Sequence, residues 1–146
     1  MRSFEGKVAL VTGGSSGLGA ATALQFAREG ARVVIAARRT DQSEAVLRQI
    51  AALGAEGLFV RTDVSSAADI QAMVQNTLAR FGRLDFAVNN AGITGPVRTP
   101  VADVDEAQWD IPGRAVCCAG AIGDSAAIAR ELATDCRRRA PELRSD

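Results

Sequence analysis

The sequence contains no histidine and no tyrosine. Lys7 is its one lysine, so the remaining basic residues are arginines. These gaps exclude whole mechanisms. No Ser-His-Asp triad can be assembled and no histidine-based metal site can form. Cysteine is scarce, with three residues, and two of them, Cys117 and Cys118, are adjacent, which is poor spacing for a zinc site. No metal is expected. So few thiols, with no paired framework, fit a reducing compartment, and a cytoplasmic location is expected. There is no excess charge of either sign: 17 basic residues balance 17 acidic ones. Without a net field, neither nucleic acid nor an anionic membrane is an expected partner. No apolar run approaches the roughly 20 residues of a membrane span. The opening Met1 to Lys7 does not read as a signal peptide.

What is present is an ordinary globular composition, 47% hydrophobic and 23% charged in 146 residues, enough for one domain with a sizeable core. Val8-Ala9-Leu10-Val11 is a short continuous apolar run, the mark of a strand buried on both faces. After the glycines that follow it, a helix is predicted up to Glu29, with Leu18, Ala21, Leu24 and Phe26 among its apolar positions. Gly30 stands where a left-handed C-terminal residue is favoured. Arg32 to Ala36 reads as a second strand. Asp41 and Glu44 form a capping-box pattern ahead of Val46, Leu47, Ile50 and Leu53, and Gly54 ends that helix. Leu58 to Val60 is the third strand. Ser66 and Asp69 open a third helix with the clearest stripe in the chain, Ile70, Met73, Val74, Thr77, Leu78 and Phe81, stopped by Gly82. Leu84 to Val88 is the fourth strand. Strict alternation of strand and helix predicts a parallel sheet with helices on both faces.

Chemistry begins at the first turn. Thr12-Gly13-x-x-x-Gly17-x-Gly19 joins strand to helix, where unpaired backbone N–H groups and the positive end of the helix dipole attract anionic phosphate. Gly13 is expected to permit the tight turn, Gly17 the approach of a pyrophosphate, and Gly19 close packing of helix on strand. At the end of strand two stand Ala37, Arg38 and Arg39. A cofactor with a free ribose 2′-hydroxyl calls for an acid near this point. A guanidinium instead suits a 2′-phosphate, so NADP is favoured over NAD.

These residues resemble the short-chain dehydrogenase/reductase family. Thr12-Gly13-Gly14-Ser15-Ser16-Gly17-Leu18-Gly19 is similar to its glycine motif. Asp63-Val64 is similar to the pair that meets the adenine ring. Asn89-Asn90-Ala91-Gly92 is similar to its Asn-Asn-Ala-Gly segment, whose first asparagine ties the sheet together while the segment lines the cofactor cleft. The resemblance runs from about Phe4 to Asp110. It implies a partial Rossmann fold, an α/β parallel sheet of about four strands in the order 3-2-1-4. It also implies a cofactor site at Gly13, Ser15, Ser16, Gly17, Leu18, Gly19, Arg38, Asp63, Val64, Asn90, Ala91 and Gly92.

The resemblance then fails. Val104 to Asp110 looks like the start of the family's next helix, but Val116 stands where its catalytic asparagine would fall, and Pro112-Gly113 disfavours the helix. The family's proton-transferring tyrosine and ribose-holding lysine, in a Tyr-x-x-x-Lys motif, are missing. Ser125, the best-placed serine left, reads as a helix cap before Ile128 to Arg139. No catalytic residue is therefore expected. Residues 1–110 are expected to form the binding half. Residues 111–146 form a divergent tail that holds every cysteine, eight alanines and six arginines, but no aromatic residue. Such a break fits a tail never selected as part of a dehydrogenase, for example after a frameshift in a GC-rich gene.

Strand four would lie at an open apolar edge, inviting self-association or a partner chain unless the tail covers it. Three functions follow: a truncated NADP-binding oxidoreductase inactive alone, half of a split enzyme, or a non-catalytic dinucleotide-binding or interaction protein. A methyltransferase is disfavoured by the Asn-Asn-Ala-Gly segment and by the lack of an acid at Ala37. The substrate is not legible.

Overall fold

A computed structural model describes residues 2–92 and 121–122. The elements are β1 (Val8–Thr12), α1 (Gly17–Arg28), β2 (Arg32–Ala37), α2 (Thr40–Ala52), β3 (Gly57–Arg61), α3 (Ala67–Phe81), β4 (Phe86–Asn89) and β5 (Ala121–Ile122). The sheet order is β3-β2-β1-β4-β5. The first four strands adopt the expected parallel 3-2-1-4 arrangement. The fifth is an addition. Ala121–Ile122 runs antiparallel along β4, pairing with Ala87 and Phe86, so the tail covers part of the edge that the sequence left open. The expected helical start at Val104, the cap at Ser125 and the cysteines lie outside the described residues.

Burial on both faces follows the period of the strand. In β1, Val8 and Leu10 join a core with Ile70, Met73, Val74 and Phe81 of α3. Ala9 and Val11 join the opposite core, with Ala23 and Ala27 of α1 and Val46 and Ile50 of α2. The stripe predicted for α3 is thus the buried one. Its start is also as expected: the Ser66 hydroxyl accepts from the Asp69 N–H at 3.2 Å, and Gly82 ends the helix at φ 73°.

Three local expectations are corrected. The buried residues of α1 are Gly19, Ala23 and Ala27, with Leu24 and Phe26 half-buried against the same core; Leu18 is 81% exposed. Small residues every fourth position bring the helix backbone onto the sheet, where a Cβ on Gly19 would stand 2.3 Å from the Gly13 carbonyl oxygen. Second, α2 begins at Thr40 with Arg39 at the cap position and no side-chain cap bond. Because β2 continues to Ala37, only Arg38 and Arg39 remain to turn the chain, and Asp41 falls inside the first turn, facing the dipole. Third, the β4 ladder starts at Phe86 rather than Leu84. Asp85 intervenes: its carboxylate, in place of a backbone carbonyl, accepts the Val8 N–H at 2.9 Å, while its own N–H donates to the Val8 carbonyl.

Candidate dinucleotide site

The parallel strands β1 to β4 all end on one side of the sheet, and a cleft of about 480 Å³ opens there. Ligands in open α/β sheets bind at such carboxyl ends. Each strand delivers one wall. From β1 come Gly13, Ser15 and Ser16; from β2 Ala36, Ala37, Arg38 and Arg39; from the end of β3 Thr62 to Ser65; from β4 Asn90, Ala91 and Gly92.

The glycine loop is fixed at its base. Gly13 donates its N–H to the Ala36 carbonyl at 2.8 Å and takes φ 66°. A Cβ at Gly13 would meet Ala91 Cα at 2.9 Å, so the first glycine serves both the turn and the approach of the β4 segment. Gly17 has φ 55° and nothing within 4 Å of a built Cβ; its surroundings are open, as a ligand-facing loop requires. Helix α1 starts there with no side-chain cap bond and no acid in its first turn. Among the described helices it alone lacks both, since α2 has Asp41 and α3 has Asp69 with the Ser66 cap. That leaves a positive helix end suited to an anion.

Thr12 joins two walls. Its buried hydroxyl accepts from the Asn90 and Ala91 N–H groups at 3.0 and 3.1 Å and donates to the Val88 carbonyl at 3.3 Å. Asn90 Nδ2 donates to the Thr12 carbonyl at 3.2 Å and the Gly13 carbonyl at 3.4 Å. Asn90 thus ties the Asn-Asn-Ala-Gly segment to the loop after β1 by its side chain, while Asn89 pairs with Thr12 in the ladder between β1 and β4.

At the far wall, Arg39 reaches across the cleft and donates from Nη2 to Ser16 Oγ at 3.1 Å. Arg38 is exposed beside it. The Asp63 carboxylate accepts from the Ser65 hydroxyl at 2.6 Å and the Ser65 N–H at 2.9 Å. These bonds outweigh a small burial penalty and, with the Arg38 and Arg61 charges, hold its pKa below the usual carboxylate value. Among the predicted residues, the structure brings Gly13, Ser15, Ser16, Arg38, Asp63, Val64, Asn90, Ala91 and Gly92 to the cleft wall. Gly17, Leu18 and Gly19, in the first turn of α1, are not among the residues that line it, and Gly19 is packed against the loop. Sequence reasoning left Arg39 and Ser65 outside the site; adjacency to Arg38 and Asp63 was the available signal. No cluster of metal-ligating side chains occurs among the described residues, and no described helix is long and apolar enough to cross a membrane.

The sequence profile described as short chain dehydrogenase matches residues 7–135. The chain belongs to that family. It is similar to short chain dehydrogenase/reductase astE of Aspergillus oryzae, with 48% identity over 108 residues, covering 73% of this chain and 41% of that protein. Tropinone reductase-like 1 of Erythroxylum coca is 42% identical over 108 residues, 74% of this chain and 39% of that protein. Among solved structures, a metagenomic short-chain oxidoreductase in complex with NADP aligns with TM-score 0.72 and 41% identity, covering 77% of this chain and 51% of that one. Levodione reductase aligns with TM-score 0.73 and 38% identity, over 77% and 44%. The chain thus spans about two fifths of the length of these curated relatives. The family is one of oxidoreductases that bind NAD(P).

Proposed function

We propose that residues 1–110 are the NADP-binding half of a short-chain dehydrogenase/reductase and that residues 111–146 are a divergent tail, part of which joins the sheet. One observation carries the choice of cofactor: β2 ends at Ala37 and is followed by Arg38 and Arg39, so two guanidinium groups stand where a carboxylate would bind a free 2′-hydroxyl. The cleft suits the dinucleotide in its other parts. The open start of α1, at Ser16, Gly17 and Leu18 with Gly19 packed beneath, would receive the pyrophosphate. Asp63 and Val64 border the adenine, and Asn90 to Gly92 form the inner wall.

Bound there, the nicotinamide would supply a hydride acceptor or donor for a carbonyl or alcohol. The residues of this chain bind and orient. None is assigned to proton transfer, since the sequence has no tyrosine and its one lysine, Lys7, pairs with Asp85 at the opposite end of β1. The chain alone is accordingly proposed to be inactive, with its substrate unassigned.

A second reading, half of a split enzyme, is favoured by one observation. Among the described residues β5 pairs with Phe86 and Ala87, at the start of β4, and a complementing chain or a second copy would continue the sheet along that edge. Fluorescence titration with NADPH and NADH tests the first reading: NADPH should bind more tightly by about tenfold or more, one charge-assisted contact's worth. Equal affinity would remove the NADP assignment, and no binding would remove the cofactor function.

A further inference from the structure

We propose that β3 is a pairing edge for a second copy of this chain, the two β3 strands running antiparallel about a two-fold axis at Phe59.

The edge is set by the ladder. β3 ends the sheet, with β2 its one neighbour among the described residues. In that parallel register Val33 donates its N–H to the Glu56 carbonyl at 2.9 Å, and Thr62 donates to the Ala37 carbonyl at 3.0 Å. Alternate residues of a strand turn their backbone groups to opposite sides, so Leu58 and Val60 also face β2. Gly57, Phe59 and Arg61 point their N–H and C=O groups outward, and no described residue bonds them. The usual guards of an exposed edge are missing from β3, which has no proline, no lysine and no break in its register.

The strand is complementary to itself. With Phe59 on the axis, it faces Phe59 of the second copy, and Gly57 faces Arg61 of that copy. Each such pair exchanges two hydrogen bonds, so every outward group of β3 is used. A slide of two residues either way strands one outward residue in each copy. One of those slides also brings the two Arg61 side chains to about 7 Å along the strands. The centred register holds them roughly 13 Å apart, beyond the screening length of physiological salt. On the opposite face, half-buried Leu58 meets Val60 of the copy. Both belong to the core under α3. The open groove of about 590 Å³ beside them, bounded by Asn76 and Ala79, is where that core would extend across the junction.

Charge favours a copy over an acidic peptide. Of the two arginines lining the groove, Arg80 is already paired with Glu56. The chain carries no net charge, so two copies approach without mutual repulsion. Because the joined strands are antiparallel, the two clefts open at opposite ends of the continuous sheet, and pairing and cofactor binding are separate properties.

The full chain is tested by sedimentation velocity over roughly a hundredfold range of concentration. A dimer is expected to become the main species at about 10–100 μM, as for a small, transient interface. Amide hydrogen exchange, read residue by residue, should slow with concentration at Gly57, Phe59 and Arg61. It should stay constant at Leu58 and Val60, whose N–H groups are bonded to β2 in either state. Arg61→Pro removes an outward donor at an exposed position, where an edge strand tolerates proline. It should keep the parent's thermal midpoint and weaken the dimer by about tenfold or more. Arg61→Ala keeps the donor and should leave the dimer within about threefold of the parent's. A chain that stays monomeric throughout overturns the proposal and leaves the edge to a partner of another kind. Association undiminished by Arg61→Pro, or accompanied by new protection on β4 instead of β3, also overturns it. If Arg61→Pro fails to fold, the alternating exchange pattern of the parent decides, and its absence overturns the pairing.

Discussion

Substituting Gly19 by alanine tests the packing on which the cleft depends. The added Cβ would lie 2.3 Å from the Gly13 carbonyl oxygen, 2.5 Å from Asn90 Nδ2 and 2.8 Å from the Gly13 carbonyl carbon. Two of these atoms are backbone, so no side chain can simply rotate away. Ordinary contact begins near 3.4 Å, and α1 or the loop must therefore shift by roughly 1 Å in a close-packed interior. Overpacking of this kind costs about 1–3 kcal/mol. The displaced Asn90 amide also loses its bonds to Thr12 and Gly13, about 1 kcal/mol each. A total near 3–5 kcal/mol is a large share of the 5–15 kcal/mol typical of a domain. It should lower the thermal midpoint by about 6–20 °C. Circular dichroism melts and urea titrations measure it. Gly17→Ala is the comparison: its Cβ meets nothing within 4 Å, so its cost is the positive φ alone, about 1–2 kcal/mol. A Gly19→Ala protein within about 0.5 kcal/mol of the parent, the range of an ordinary surface change, would refute the argument, because α1 would then be free to slide on β1.

Other consequences are direct. Thr12→Val leaves the Asn90 and Ala91 N–H groups without their acceptor, at a cost of about 1–3 kcal/mol; Thr12→Ser should recover most of it and of NADPH affinity, as read by urea midpoints and titration. Burial pushes the Asp85 pKa up, but the Arg83 bond, the Val8 N–H and the Arg83 and Lys7 charges together hold it below the usual value. A depressed carboxylate stabilises the fold above its unfolded pKa, about 3.9, and that contribution is lost as pH falls through the folded value. The stability gap between the parent and Asp85→Asn should therefore be full above about pH 5 and shrink in acid; urea titrations that found a gap independent of pH would contradict this. Replacing Ala121 and Ile122 by proline removes both β5 backbone donors and should expose Phe86 and Ala87 to pairing between copies. Sedimentation velocity should then show stronger concentration-dependent association than the parent's.

How much of this was legible in the sequence depended on residue type. Helix α3 could be placed because its stripe is made of large side chains and its ends carry Ser66 and Gly82. Helix α1 was harder to orient, since its fully buried residues are Gly19, Ala23 and Ala27, which produce little hydrophobic periodicity, and Leu18 is apolar yet exposed. The strand order followed from alternation and motif order, but the start of β4 turned on the Asp85 carboxylate standing in for a backbone acceptor. The motifs located the cleft. They did not show that Asn90 bonds to the Thr12 and Gly13 carbonyls, or that Arg39 reaches Ser16, because both depend on side-chain directions. β5 lies in an Ala/Gly-rich stretch with no alternation, and only its pairing with β4 marks it.

Backbone amide mapping by nuclear magnetic resonance during an NADPH titration bears most directly on where the ligand sits. Perturbations are expected at Gly13, Ser16, Arg38, Asp63, Asn90 and Gly92, the carboxyl ends of the four parallel strands. Lys7 and Asp85 at the opposite end should stay unchanged. Perturbations centred instead on the shallow groove between β3 and α3, at Leu58, Asn76 and Arg80, would place the ligand elsewhere and contradict the dinucleotide site.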